Sequence, residues 1–132
     1  MGKSRLRRVT VLAVDDDPDS LNLQKKILDR LGVRNVINTT GVVDAFGQLN
    51  DDEGFINVIL LDLNMPGKDG ISFLKKLRKN SNERVASLPV IVVSAEEMED
   101  FEEDLSELNI AGYLKKPVVP ELLESEIILA LE

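Results

Sequence analysis

Short runs of apolar residues along the chain end abruptly in polar ones, and stretches of helical periodicity separate them. Val9-Thr10-Val11-Leu12-Ala13-Val14 is rich in β-formers and stops at Asp15-Asp16-Asp17-Pro18, the pattern of a buried strand. From Asp19 to Leu31 the apolar positions Leu23, Ile27 and Leu31 step by four, the spacing of one helical face. Asp17 suits the cap of that helix, Pro18 its first position and Gly32 its stop. A weaker strand is predicted at Val36 to Thr39, then a short helix at Val42 to Leu49 and a polar loop from Asn50 to Gly54. Val58-Ile59-Leu60-Leu61 is fully apolar and ends at Asp62. The turn-rich Asn64-Met65-Pro66-Gly67-Lys68-Asp69-Gly70 follows, then a helix from Ile71 to Lys79. Leu88 to Val93 predicts another strand, ending at Ser94. Glu96 to Leu108 predicts a helix with Met98, Phe101, Leu105 and Leu108 on one stripe. Tyr113-Leu114, cut off by Lys115-Lys116-Pro117, predicts a short strand, and Glu121 to Leu131 a closing helix.

Five strands thus alternate with five helices. The strands are continuous apolar runs rather than alternating ones, so both of their faces must be covered. That predicts a doubly wound α/β fold, a parallel sheet with helices on each side. With 132 residues the chain is one domain, its core about residues 8–131, and no long linker, repeat or low-complexity segment divides it. The 43% apolar and 30% charged residues are those of a globular protein.

Cysteine and histidine are both absent. Disulfide frameworks, thiolate or imidazole metal sites and a Ser-His-Asp triad are thereby excluded, and any metal must sit on oxygen ligands, which favours magnesium, calcium or manganese. The net charge of −8 is unevenly spread: residues 1–95 hold 14 bases and 12 acids, residues 96–132 hold 2 bases and 12 acids. The acidic last third argues against nucleic-acid binding there. Lys3, Arg5, Arg7 and Arg8 form a basic run at the N-terminus, read as a solvated edge. No apolar run approaches the ~18–20 residues that span a bilayer, and no apolar stretch follows the basic N-terminus as in a signal peptide. No membrane contact is expected, and the expected location is the cytoplasm.

In an open α/β sheet, functional groups gather at the carboxyl ends of the strands. The residues there are Asp15 and Asp16, then Asp62, then Ser94, then Lys116. Singly, an Asp after a strand is a helix cap, a Ser a turn residue and a Lys a solvated charge; together they make a site. Three carboxylates held close repel unless a cation neutralises them. Magnesium takes one or two carboxylates, keeps several waters and accepts a phosphate oxygen. Lys116 offers a point charge and Ser94 a hydrogen bond to the same phosphoryl group.

Val14-Asp15-Asp16, Leu61-Asp62-Leu63-Asn64-Met65-Pro66 with Asp69-Gly70, Val93-Ser94-Ala95 and Tyr113-Leu114-Lys115-Lys116-Pro117 occur in one order, with 46, 32 and 22 residues separating Asp16, Asp62, Ser94 and Lys116. This set resembles the response-regulator receiver domains of two-component signalling, the family of the bacterial chemotaxis regulator, over about residues 8–131. The resemblance implies a flavodoxin-like five-stranded sheet of order 2-1-3-4-5. It implies Asp62 as phosphoacceptor, taking a phosphoryl group from a histidine kinase or phosphotransfer protein, in a signalling module and not an enzyme. Magnesium, with manganese as the alternative, would sit on Asp16, Asp62 and the Asn64 backbone carbonyl, with Asp15 reaching it mainly through water. Lys116 would contact the phosphoryl oxygens. Ser94, where the family has Thr or Ser, would bond the phosphoryl group and carry the switch, and Tyr113 would change its burial. A cis Lys116–Pro117 bond is implied as well. Asn64 and Glu96 flank the expected line of attack of water and would tune dephosphorylation. Asp17 lies outside the family's acidic pair and is assigned to capping.

Three rivals are weaker. A haloacid-dehalogenase-like phosphatase would use an Asp of the 15–17 run as nucleophile, but it needs an acidic pair beyond the Lys, and no Asp follows Lys116. A docking module without phosphorylation leaves the site residues unexplained. A calcium loop starting at Asp62 fails because Phe73 stands where a bidentate Glu is required. The downstream partner is expected to be a protein, and the eight acids of residues 96–107 suit a basic one.

Overall fold

The computed structural model describes residues 5–51, 54–64 and 69–132. Lys3 of the basic run and residues 65–68 of the turn after Asp62 lie outside them. Strands β1 (Thr10–Val14), β2 (Asn35–Thr39), β3 (Val58–Leu61), β4 (Val90–Ser94) and β5 (Gly112–Lys115) form one parallel sheet in the order β2-β1-β3-β4-β5. This is the order that the family resemblance implies. Every residue of β1, β3 and β4 is buried, whereas the edge strands β2 and β5 are partly exposed. The inner strands therefore gave long apolar runs and the edges only weak ones.

The helices are α1 (Pro18–Leu31), α2 (Val42–Asp51), α3 (Asp69–Arg78), α4 (Glu83–Ala86), α5 (Glu102–Leu105), which continues a 3₁₀ turn at Met98–Phe101, and α6 (Pro120–Leu131). They cover both faces, because strand side chains alternate. Leu12, Val14, Ile59, Leu61, Val90 and Val92 pack with Leu49 of α2, Phe73 and Leu77 of α3, Val85 of α4 and Leu105 of α5. Val11, Ala13, Val58, Leu60, Ile91 and Val93 pack with Leu21 and Leu28 of α1 and Leu123 and Ile127 of α6. Each fully buried Val, Leu, Ile or Phe side chain among these contributes about 1.5–3 kcal/mol.

α1 starts as its sequence predicts. The Asp17 carboxylate accepts the Asp19 N–H at 3.0 Å, Pro18 occupies the first turn, and Gly32 ends the helix at φ 88°. Its buried face differs from the expected Leu23-Ile27-Leu31 stripe. Leu21, Gln24 and Leu28 point inward, and Leu23 is 48% exposed. A seven-residue step returns almost to the same face, so Leu21 and Leu28 define the inward line better than residues four apart.

Two departures lie between β3 and β5. α4 had no counterpart in the apolar pattern; it forms because the Asn82 side chain accepts the N–H groups of Arg84 and Val85 at 3.0 and 3.3 Å. The helix expected over Glu96 to Leu108 is shorter, running only from Met98 to Leu105 and opening as a 3₁₀ turn. The apolar stripe is present, with Leu105 and Leu108 buried. Acids three and four apart, such as Glu99 with Glu103 and Asp100 with Asp104, repel along the helix and oppose its dipole at the C-terminal end.

Candidate functional site

The chain goes from β1 outward to β2, then crosses back past β1 to β3, so the order of strand addition reverses between β1 and β3 while all strands stay parallel. Val14 pairs with Leu61 across that seam, and the Asp62 N–H donates to the Val14 carbonyl at 2.9 Å. Asp15 and Asp62 follow these residues and so emerge side by side. On the other flank Ser94 pairs with Lys115, and the Lys116 N–H donates to the Ser94 carbonyl at 2.7 Å. Strand register alone thus brings the five predicted strand-end residues to one edge.

Carboxylate oxygens of Asp15, Asp16 and Asp62 all lie within 4.8 Å of one another. Asp15 and Asp62 are buried and Asp16 is exposed. The Lys116 ammonium donates to Asp15 Oδ2 at 3.0 Å and to Asp62 Oδ2 at 3.5 Å. The adjacent Lys115 is turned away and pairs with Glu97 at the surface. Burial pushes the Asp62 carboxyl above its usual range; the Asn64 N–H, donating to Oδ1 at 2.9 Å, opposes that, while the negative Asp15 adds to it. Burial works against the Lys116 ammonium, but its hydrogen bond to Asp15 and the charges of Asp62 and Asp15 outweigh burial and raise its pKa. One ammonium against three carboxylates leaves a net negative pocket. Its all-oxygen donor set, with one solvent-facing member, fits a hard divalent cation.

The supports of this cluster are local. The Asp17 N–H donates to Asp15 Oδ1 at 2.9 Å and fixes that carboxylate. Gly70, in the first turn of α3, lies against the backbone of the Asp62 loop. A Cβ there would stand 2.6 Å from Leu63 Cα and 2.7 Å from the Asp62 carbonyl oxygen, so only glycine permits this approach. The Lys116–Pro117 peptide is cis, as the resemblance implies.

Ser94 is fully buried, and its hydroxyl donates to Asn64 Oδ1 at 3.2 Å. The Ser94 oxygen accepts the Glu96 N–H at 3.0 Å, and the Glu96 carbonyl accepts the Tyr113 hydroxyl at 2.8 Å. Tyr113 is partly buried, and burial raises its phenol pKa; the nearby Ser94 hydroxyl opposes this, and Asp100, Glu96 and Glu97 reinforce it. Two contributors escaped the sequence reading. The Asn64 side chain, expected only to flank an attacking water, holds Ser94. Thr39, buried at the end of β2, donates its hydroxyl to the Ala13 carbonyl at 2.8 Å and braces the strand that carries Asp15. Both depend on contacts between segments about 30 residues apart, which no local pattern reveals.

No helix among the described residues is long and apolar enough to cross a membrane. Residues 11–128 match the model of the response regulator receiver domain. The chain is 31% identical over 117 residues to the chemotaxis protein CheY of Pseudomonas aeruginosa, covering 89% of this chain and 91% of that one. The crystal structure of a sensor protein from Polaromonas sp. JS666 superposes with a TM-score of 0.84 at 30% identity, covering 94% of this chain and 96% of that one. The chemotaxis response regulator CheY4 of Vibrio cholerae, 24% identical with a TM-score of 0.79 and 93% and 98% coverage, shares the fold. With the family match running from β1 into α6 and the strand-end cluster in its expected order, this chain belongs to the response-regulator receiver domains.

Proposed function

We propose that Asp62 is the phosphoacceptor of a two-component or phosphorelay pathway, taking its phosphoryl group from a phosphohistidine on a kinase or phosphotransfer protein. The observation that carries this reading is the position of Asp62: buried where the strand order reverses, clustered with Asp15 and Asp16, and bridged to Asp15 by the Lys116 ammonium. In the transfer, an Asp62 carboxylate oxygen attacks phosphorus, the P–N bond breaks, and its electron pair stays on the imidazole nitrogen. The Asn64 N–H on Oδ1 fixes the rotation of the Asp62 carboxylate for this attack. Lys116 meets the negative charge that accumulates on the phosphoryl oxygens. A magnesium or manganese ion would be held by Asp16, Asp62 and the Asn64 backbone carbonyl, with Asp15 reaching it mainly through water; it would neutralise the acid cluster and polarise the incoming phosphoryl group.

Ser94 then turns its hydroxyl to the phosphoryl group, and the Glu96 and Tyr113 links carry the change to the surface formed by α5 and β5. A downstream protein reads that surface; the acids of residues 96–107 favour a basic one. The domain works in the cytoplasm, where such donors act. The test is incubation with a small acyl phosphate and magnesium, read by intact mass. The wild type should gain one phosphoryl group and Asp62→Asn none, because an amide is a poor nucleophile; labelling should stop when magnesium is chelated. Undiminished labelling of Asp62→Asn overturns the proposal.

A further inference from the structure

The Ser94 hydroxyl has one proton to donate, and in this structure Asn64 Oδ1 receives it. We propose that the Asn64 side chain is a latch: it holds Ser94 in the resting position, and its strength sets how readily phosphorylation switches the domain. The inference rests on the reading of Asp62 as phosphoacceptor, and it assigns the Asn64 amide a positioning role separate from its backbone carbonyl and from any effect on water.

The geometry makes the competition obligatory. Asn64 is bound to the phosphoacceptor through its own N–H on Asp62 Oδ1, and to the switch through its side chain on Ser94. A phosphoryl oxygen on Asp62 can receive the Ser94 proton only after Asn64 Oδ1 gives it up. The Ser94 oxygen in turn accepts the Glu96 N–H, and the Glu96 carbonyl anchors Tyr113. Rotation of one buried hydroxyl therefore disturbs the peptide that fixes the aromatic ring. Asn64 is exposed, so its released amide is rehydrated by solvent, whereas Ser94 is fully buried and must find another acceptor inside. The latch thus opens when an acceptor stronger than Asn64 Oδ1, such as a charged phosphoryl oxygen, arrives. A neutral hydrogen bond of this kind shifts a two-state equilibrium by about 3- to 10-fold.

The chain contains a single tyrosine and no tryptophan, so its intrinsic tyrosine fluorescence reports Tyr113 alone. The experiment titrates magnesium-saturated protein with beryllium trifluoride, a phosphoryl mimic that is not hydrolysed, which keeps any change in dephosphorylation out of the readout. Wild type, Asn64→Ala, Ser94→Ala and the double variant are compared. Asn64→Ala should reach its fluorescence midpoint at about 3- to 10-fold lower beryllium trifluoride than wild type; in the Ser94→Ala background, where Tyr113 is uncoupled and binding is read by titration calorimetry in all four proteins, the same substitution should leave the beryllium trifluoride affinity unchanged. An unshifted or higher midpoint in Asn64→Ala overturns the latch, as does an equal effect with and without Ser94. A wild type that does not respond to beryllium trifluoride at all overturns instead the phosphoacceptor reading on which the latch rests.

Discussion

Asp62 is only 5% exposed, and burial holds its carboxyl above the usual carboxylate range. A raised carboxyl pKa is favourable to folding below the ordinary value of 3.8, and that contribution is lost as pH rises through the raised value. At neutral pH the ionised Asp62 is therefore a net cost to the metal-free domain, only partly offset by the Asn64 N–H and, less, by Lys116. Asp62→Asn should melt at a higher temperature than wild type at neutral pH without divalent cations, and the gap should close as pH falls below the ordinary carboxylate value. Excess magnesium should also narrow it, by stabilising the wild type more than the variant. Thermal unfolding of both proteins at matched pH checks this, and a variant less stable than wild type at neutral pH contradicts the charge argument. The acids, Ser94 and Lys116 were legible in the sequence because each ends an apolar run, and strand register does the rest. The acceptor of the Ser94 proton was not, because it depends on the rotamer of a loop residue 30 positions away.

Arg78, in the last turn of α3, joins elements that the sequence did not connect. Its guanidinium donates to the carbonyls of Ala86 at the end of α4 and Leu88 just beyond it, at 3.0 and 2.8 Å, and to those of Leu108 and Asn109 beyond α5, at 2.8 and 3.1 Å. Those carbonyls are left over where two short helices stop, which is where helices need outside donors. The planar fork of Arg suits several fixed acceptors at once. Arg78→Ala should cost about 2–4 kcal/mol in urea unfolding, allowing for carbonyls that regain water, and Arg78→Lys should recover only part of it. A change within about 0.5 kcal/mol, the range of an ordinary surface substitution, contradicts the clamp. The order of strands and long helices was readable from apolar runs and caps. The true length of the 96–108 helix was not, because periodicity registers the Met98-Phe101-Leu105-Leu108 stripe and is blind to like charges stacked along the same helix.

The whole molecule carries its charge asymmetrically, with 2 bases against 12 acids after residue 95. Eight of those acids fall between Glu96 and Glu107, beside the strand that holds Tyr113. Two copies meeting through this segment would bring like charges together, so the beryllium trifluoride-loaded domain should sediment as a monomer at low salt. The repulsion weakens as the Debye length falls from about 10 Å at 0.1 M to about 3 Å at 1 M, so high salt should be the more permissive condition. A low-salt dimer with Glu99 or Glu103 at its interface contradicts this. The signalling account hangs on which carboxylate receives the phosphoryl group. The most direct measurement is to label the wild type with a small acyl phosphate and magnesium, trap the acyl phosphate by borohydride reduction to homoserine, and sequence the peptides by mass spectrometry. Homoserine should appear at position 62 alone. Conversion at position 15, 16 or 17 instead, as a phosphatase-type nucleophile would give, contradicts the account.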